Sequence, residues 1–328
     1  MKVGLLANQG AGRYRLVPEA VRRYREAFPE HALYAPEGRF SPGALVGVSS
    51  IISGASNSKS YLEALSDAVS LLVQERCDRL VAFGGDGFFT NICAALIAEA
   101  RPIPFMGIGT GTANVGVLSQ FSPEDLTRGL PIDQTDQISP LAIYRDGQAI
   151  GYAFHDIVIG DTFLGTFDGA TRNLSAEKWM TDRALLPEKP KPLSFTQDFR
   201  ICRCAEQLPL KLSPIAQIII SPIYRGIGFS GKAITGLLCF SPYYPGCFCM
   251  VLADRILVEM SSAFPDYGCE IEQYLFQKGE SLIMEGLSPG HFIIADGNPL
   301  CEATGSVRIS RSEKRVPIIV NLLRSQRF

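Results

Sequence analysis

Short apolar runs alternate with segments of helical periodicity through the first 133 residues, and three of the runs end at glycine-rich turns. Val3–Ala7, Leu80–Phe83 and Ile103–Ile108 read as buried strands, with His31–Tyr34 as a shorter one. Val17, Val21, Tyr24 and Phe28 fall on one helical stripe, and Leu62, Leu65, Val69, Leu72 and Val73 on another; a third helix runs from about Phe89 to Ala100. This alternation predicts a parallel sheet with helices on both faces. Ligands of such sheets sit at the carboxyl ends of the strands. The three turns lie there: NQGAGR (Asn8–Arg13), GGDG (Gly84–Gly87) and GIGTGTAN (Gly107–Asn114).

After Ser119–Leu130 the pattern changes. Ile138–Tyr144, Ala149–Ile159, Leu193–Cys204, Ala216–Ser221, Arg255–Met260, His291–Ala295 and Ser306–Ser310 read as strands, with one helix from about Ser175 to Leu186. The expected fold class is therefore α/β. A Rossmann-like parallel-sheet domain covers residues 1–133, and a β-rich, antiparallel, sandwich-like domain covers residues 134–328.

Composition narrows the function classes. With 46% hydrophobic residues in a chain of 328, a sizeable core can form, and the composition is that of a folded rather than a disordered chain. A formal charge of −2 carries no nucleic-acid footprint. The first residues, MKVGLLANQG, read as a strand rather than a leader, and no apolar run reaches the ~18 residues of a membrane span. An odd count of nine cysteines points to reduced thiols in a cytoplasmic protein. Two C-x-C pairs, Cys202/Cys204 and Cys247/Cys249, would each share a face if they lie in strands, and so meet one metal; the better reading is small buried hydrophobes.

Glycine tolerates positive φ and lets another molecule approach the backbone closely. Backbone N–H groups at a turn, with a helix N-terminus behind them, attract phosphate. Asn8, Gly84, Gly85, Gly87, Gly109, Thr110, Gly111, Thr112 and Asn114 are the candidate nucleotide contacts. A carboxylate repels phosphate, so Asp86 makes sense if it serves the other reactant. It can accept a proton from an attacking hydroxyl or hold a Mg²⁺ bridging the phosphates. The alternative is an aspartate that caps the following helix. No G-x-x-x-x-G-K-[ST] loop of the Walker type occurs.

Taken together, these pieces resemble the superfamily that joins NAD kinases with diacylglycerol and sphingosine kinases. NQGAGR is similar to its opening N-P-x-[SA]-G-[KR] turn, with Gln9 where proline is usual, and FGGDG (Phe83–Gly87) resembles its signature. Pro104–Leu126 is similar to an NAD-kinase stretch that ends in a P-E-x-L helix, whereas its GTAN portion resembles the G-T-x-N of the lipid kinases. His155-Asp156, in YAFHDIVIGD, stands where NAD kinases carry the Asn-Glu pair that grips a ribose, and FIIADGNPL (Phe292–Leu300) resembles a late Asp-Gly turn.

The resemblance implies ATP as phosphoryl donor, Mg²⁺ carried with it, nucleotide partners and a homo-oligomer. It makes Asp86 the base, puts Asn8 and the loop glycines near the donor, and gives His155 and Asp156 the acceptor's sugar. Besides Gln9 and His155-Asp156, two further positions depart from the pattern. Phe88 replaces a hydroxyl residue, and Asn298 replaces the glutamate of lipid kinases. Three functions follow: phosphoryl transfer to a hydroxyl of NAD or a related nucleotide; nucleotide binding without catalysis, as in a sensor; and lipid phosphorylation of the diacylglycerol type.

Overall fold

The computed structural model describes residues 1–9, 14–42, 50–52, 60–111, 114, 116–224, 246–260 and 268–322. Thr112 and positions 10–13 of the first glycine turn lie outside the described residues. The chain divides into two units. One holds Met1–Ile138 and the C-terminal residues from Lys314; the other holds most of the stretch between.

The first unit contains β1 (Lys2–Ala7), α1 (Val17–Ala27), β2 (Ala32–Pro36), β3 (Ser50–Ile52), α2 (Tyr61–Gln74), β4 (Arg79–Gly84), α3 (Asp86–Ala98), β5 (Phe105–Gly109) and β6 (Thr135–Ile138). With the C-terminal strand Val316–Ile319 they form a seven-stranded sheet, ordered β3-β2-β1-β4-β5-(Val316–Ile319)-β6. All its pairings are parallel except the last, in which β6 runs antiparallel. Val3, Leu5 and Ala7 pack with Val17, Val21 and Tyr24 of α1, whereas Gly4 lies against Leu72 of α2. Both faces of β1 are thus covered, as the continuous apolar run requires. Helix α2 opens on a reciprocal capping box between Ser60 and Glu63. Leu62, read as part of its apolar stripe, is exposed instead.

Register fixes the functional edge. Ala7 pairs with Phe83, and Gly84 with Gly109, so β1, β4 and β5 end level. Asn8, Gly85 and Thr110 therefore leave the sheet side by side.

The second unit contains β7 (Leu141–Arg145), β8 (Gln148–Ala153), β9 (Ile157–Gly160), β10 (Thr162–Phe167), β11 (Ala170–Ser175), α4 (Ala176–Asp182), β12 (Phe195–Arg203), β13 (Glu206–Gln207), β14 (Gln217–Pro222), β15 (Phe248–Ala253), β16 (Ile271–Phe276), β17 (Ser281–Leu287), β18 (Phe292–Ala295), β19 (Asn298–Glu302) and β20 (Val307–Arg311). Two six-stranded antiparallel sheets, β13-β12-β17-β20-β7-β8 and β16-β15-β14-β9-β18-β19, share one core. Side chains alternate along the strands. Ile218 and Ile220 of β14 enter that core, while Ile219 joins Phe163, Leu174 and Ala176 of the β10–β11 hairpin and α4 on the other face.

The boundary differs from the expected 133/134 division. β6 and Val316–Ile319, now β21, both belong to the first sheet, where β21 bridges β5 and β6. A pairing between segments so far apart in the chain leaves no local mark on either. The run Arg255–Met260, read as a strand, is irregular. Its Leu257 and Val258 N–H groups donate to Gln217 Oε1 at 2.8 and 3.0 Å, and the Met260 N–H donates to Asn173 Oδ1 at 2.7 Å. Side chains supply the acceptors that a strand ladder would. The actual strand, β15, lies just before it.

Candidate functional site

The carboxyl edge of the first sheet gathers most of the residues singled out above. Gly84 O accepts the N–H groups of Thr110 at 2.7 Å and Gly111 at 3.0 Å, which ties the second and third glycine turns together. The Asn8 N–H donates to Phe83 O at 3.0 Å, which joins the first turn to them. Gly85 is the N-cap of α3 in an extended conformation, and no side chain caps it. Asp86 is therefore the first residue of α3 rather than its cap. Its Oδ2 accepts the Gly116 N–H at 2.9 Å. A carboxylate in the first helical turn lies at the positive end of the helix dipole. The helix keeps it there while its remaining surface stays half-buried.

The glycines do more for the protein itself than their sequence suggested. A Cβ on Gly84 would come within 2.5 Å of the Phe88 ring; one on Gly109 would meet Asn114 at 2.7 Å, and one on Gly111 would meet Gly85 Cα at 2.9 Å. Gly116, which sequence reasoning passed over, would bring a Cβ to 3.0 Å from the Asp86 carboxylate. The second and third turns are glycine-rich because they close on one another. Asn114 takes part: it accepts the Gly111 N–H at 3.2 Å and donates to Gly111 O at 3.0 Å, so its side chain braces the turn. Thr110 is fully buried, and its hydroxyl has no hydrogen-bond partner among the described residues. Such an orphan is costly unless something else reaches it.

Phe88 is buried under this edge, stacked on Phe40 at 6.1 Å between centroids, and Phe40 meets Tyr61 edge-on at 5.3 Å. Thr90, two positions later, is also buried within α3.

His155 and Asp156 lie in the second unit, in the turn between β8 and β9. His155 Nε2 is 3.7 Å from Asp156 Oδ2, and both side chains are largely buried. The turn is held from two directions. Asp296 accepts the N–H groups of Phe154, His155 and Asp156 at 2.7, 2.8 and 2.8 Å. The Ser221 hydroxyl donates to His155 O at 2.7 Å, and the Tyr224 hydroxyl to Phe154 O at 2.8 Å. Asp296, read as a turn residue of the Asp-Gly motif, is that and also the clamp on this segment. Only the chain fold pairs β9 with β18, so the motif alone gave no sign of it.

Of the C-x-C cysteines only Cys249 is the buried small hydrophobe expected; Cys202 and Cys247 are half-buried, and Cys204, beyond β12 at φ 53°, is exposed. Burial pushes the Cys249 thiol up to about 11. Among the described residues no three His, Cys, Asp or Glu side chains cluster as metal ligands.

Comparison with known proteins agrees with this architecture. The family model of the diacylglycerol kinase catalytic domain matches residues 53–139. An NAD kinase from Archaeoglobus fulgidus, solved in complex with ATP, superimposes with a TM-score of 0.50 at 14% identity, over 100% of this chain and 97% of that one. A putative diacylglycerol kinase from Bacillus anthracis str. Sterne gives 0.56 at 13% identity, over 98% of each chain. The chain shares the fold of the NAD kinases and diacylglycerol kinases, and its residues 53–139 resemble the diacylglycerol kinase catalytic domain. Yeast NADH kinase complexed with NADH shares the same fold, with a TM-score of 0.50 at 11% identity, over 100% of this chain and 86% of that one. An uncharacterised protein of Archaeoglobus fulgidus is 30% identical over 117 residues, so the chain spans about a third of that curated relative (35%). No helix among the described residues is long and apolar enough to cross a membrane.

Proposed function

We propose that the chain is a kinase that moves the γ-phosphoryl group of ATP to a hydroxyl of NAD or a related nucleotide. The observation that carries this reading is the setting of Asp86: a carboxylate at the head of α3, fixed by the Gly116 N–H, among three turns at the carboxyl edge of a parallel sheet. Phosphoryl transfer rests on positioning and charge stabilisation more than on covalent chemistry with the protein. Mg²⁺ enters with ATP as substrate. The orphaned Thr110 hydroxyl and the glycine turns around it are the groups that favour a phosphate-bearing guest here.

In this mechanism Asp86 accepts the proton of the acceptor hydroxyl. The freed oxygen forms a bond to the γ-phosphorus, the bond from that phosphorus to the β,γ-bridging oxygen breaks, and ADP leaves. His155 and Asp156, with their backbone fixed by Asp296, hydrogen-bond the acceptor's sugar hydroxyls.

A lipid acceptor is the second reading, favoured by the family model matched over residues 53–139. Incubation with Mg-ATP and either NAD or diacylglycerol in mixed micelles separates the two. Formation of NADP that is lost in Asp86→Asn supports the first reading. Phosphorylated lipid without NADP supports the second. ATP binding with no product from either acceptor overturns both in favour of a nucleotide sensor.

A further inference from the structure

The aromatic group beside the glycine turns carries a consequence for phosphate recognition. Phe88 stands where the resemblance expects a hydroxyl, and its ring fills the space that Gly84 leaves open. It stacks on Phe40, whose backbone carbonyl accepts the Ala7 N–H at 2.9 Å. The turn Gly38–Ser41, closed by Ser41 N–H to Gly38 O at 3.1 Å, is thereby pinned beside the end of β1, and Gln9 Nε2 adds a bond to Ser41 O at 3.2 Å. Arg39 rides on this platform. Its guanidinium lies 5.9 Å from the Phe40 ring centre and 5.7 Å from that of Tyr61. The side chain is exposed, and among the described residues it forms no ion pair.

A guanidinium stacked on rings keeps its N–H edges available for bidentate contact with phosphate. Because β2 runs parallel to β1, the turn that follows it emerges at the same edge as Asp86. We propose that Arg39 is the residue through which this chain holds the phosphates of its nucleotide, in place of the hydroxyl lost at Phe88, with Phe88, Phe40 and Tyr61 as its positioning residues. The inference rests on the nucleotide-binding reading of this edge.

Calorimetric titration of Mg-ATP and of adenosine into wild type, Arg39→Ala, Arg39→Lys and Phe88→Leu tests it. Arg39→Ala weakens ATP binding about tenfold and leaves adenosine unchanged, since one charge-assisted contact to the phosphates is lost. Arg39→Lys recovers part of the loss, because an ammonium lacks the planar fork. Phe88→Leu keeps the fold, checked by circular dichroism, and shows a smaller loss on ATP alone. Wild-type affinity for ATP in Arg39→Ala, or an equal loss on adenosine, overturns the assignment while the nucleotide reading stands. A wild-type chain that binds no ATP removes the nucleotide reading, and this inference with it.

Discussion

Asp296 Oδ1 accepts the backbone N–H of His155 at 2.8 Å, and the same carboxylate also takes the N–H groups of Phe154 and Asp156. Asp296 and Gly297 form the two-residue connection between β18 and β19, both at positive φ, 48° and 77°. That is the hairpin geometry in which aspartate and glycine are preferred. One residue thus closes a hairpin and sets the backbone that presents His155 and Asp156.

Removing that clamp leaves buried donors without acceptors. Asp296→Ala is expected to lower unfolding free energy by about 2–4 kcal/mol, since each orphaned buried group costs roughly 1–3 kcal/mol. Asp296→Asn tolerates the positive φ and keeps one oxygen, so its loss should be smaller. Urea denaturation of the three proteins gives the order. In the proposed reaction both variants raise KM for the acceptor more than for ATP.

Gly84 is glycine because of Phe88. A methyl group 2.5 Å from the ring forces one or the other to move, and overpacking of this kind costs about 1–3 kcal/mol. Gly84→Ala should therefore destabilise the chain, and Phe88→Leu should relieve part of that cost. A double-mutant cycle measures the coupling. Strict additivity would mean that the two positions do not compete for space.

Gln217 is buried, and its Oε1 serves the Leu257 and Val258 N–H groups together. Gln217→Leu should cost about 2–4 kcal/mol and increase amide exchange at those two residues, whereas a surface glutamine replaced in the same way should change stability by less than about 0.5 kcal/mol. Exchange measured by mass spectrometry on the peptide spanning 255–260 checks the local effect.

His291 gives the fold a pH dependence. Its Nε2 accepts the Ser194 N–H at 2.9 Å, and burial pushes the imidazole below its ordinary 6.5, against the nearby charges of Asp161 and Glu302. Burial depresses His31 as well. A histidine that prefers to be neutral in the fold binds its proton more readily when unfolded. Its contribution is fully present above the unfolded value of 6.5 and declines as pH falls from there toward the lower folded value. The urea midpoint should drop between about pH 7 and pH 5, and His291→Gln should flatten the slope. An unchanged slope in that variant would assign the effect elsewhere.

The first sheet was largely legible because its inner strands are buried on both faces. They appear as uninterrupted apolar runs that end in glycine, and that signal is local. The second unit was harder. The strand expected over Ile138–Tyr144 is interrupted at Ser139 and Pro140: Ile138 is the last residue of β6, and Leu141 opens β7 in a different sheet. β15 was missed, while the N–H groups of Leu257, Val258 and Met260, in the run read as a strand, are satisfied by side chains far away in sequence. At the candidate site, Asp86, Asn8, Gly85 and Thr110 were found from the strand-end rule, and the sheet brings them together. Gly116, which holds Asp86 in the first unit, and Asp296 and Tyr224, which hold the His155-Asp156 turn in the second, were not, because each is recruited by tertiary pairing. The glycines were recognised, but not their packing: Gly84, Gly109 and Gly111 leave room for Phe88, Asn114 and Gly85 to close in.

The central claim is that Asp86 takes the proton of the phosphoryl acceptor. Its most direct measurement is steady-state turnover of Mg-ATP with NAD by wild type and Asp86→Asn, alongside ATP affinity by calorimetry. The account predicts a fall in kcat of about 10²- to 10⁴-fold, the usual worth of a general base, with ATP affinity essentially kept. Turnover by Asp86→Asn at the wild-type rate would contradict it.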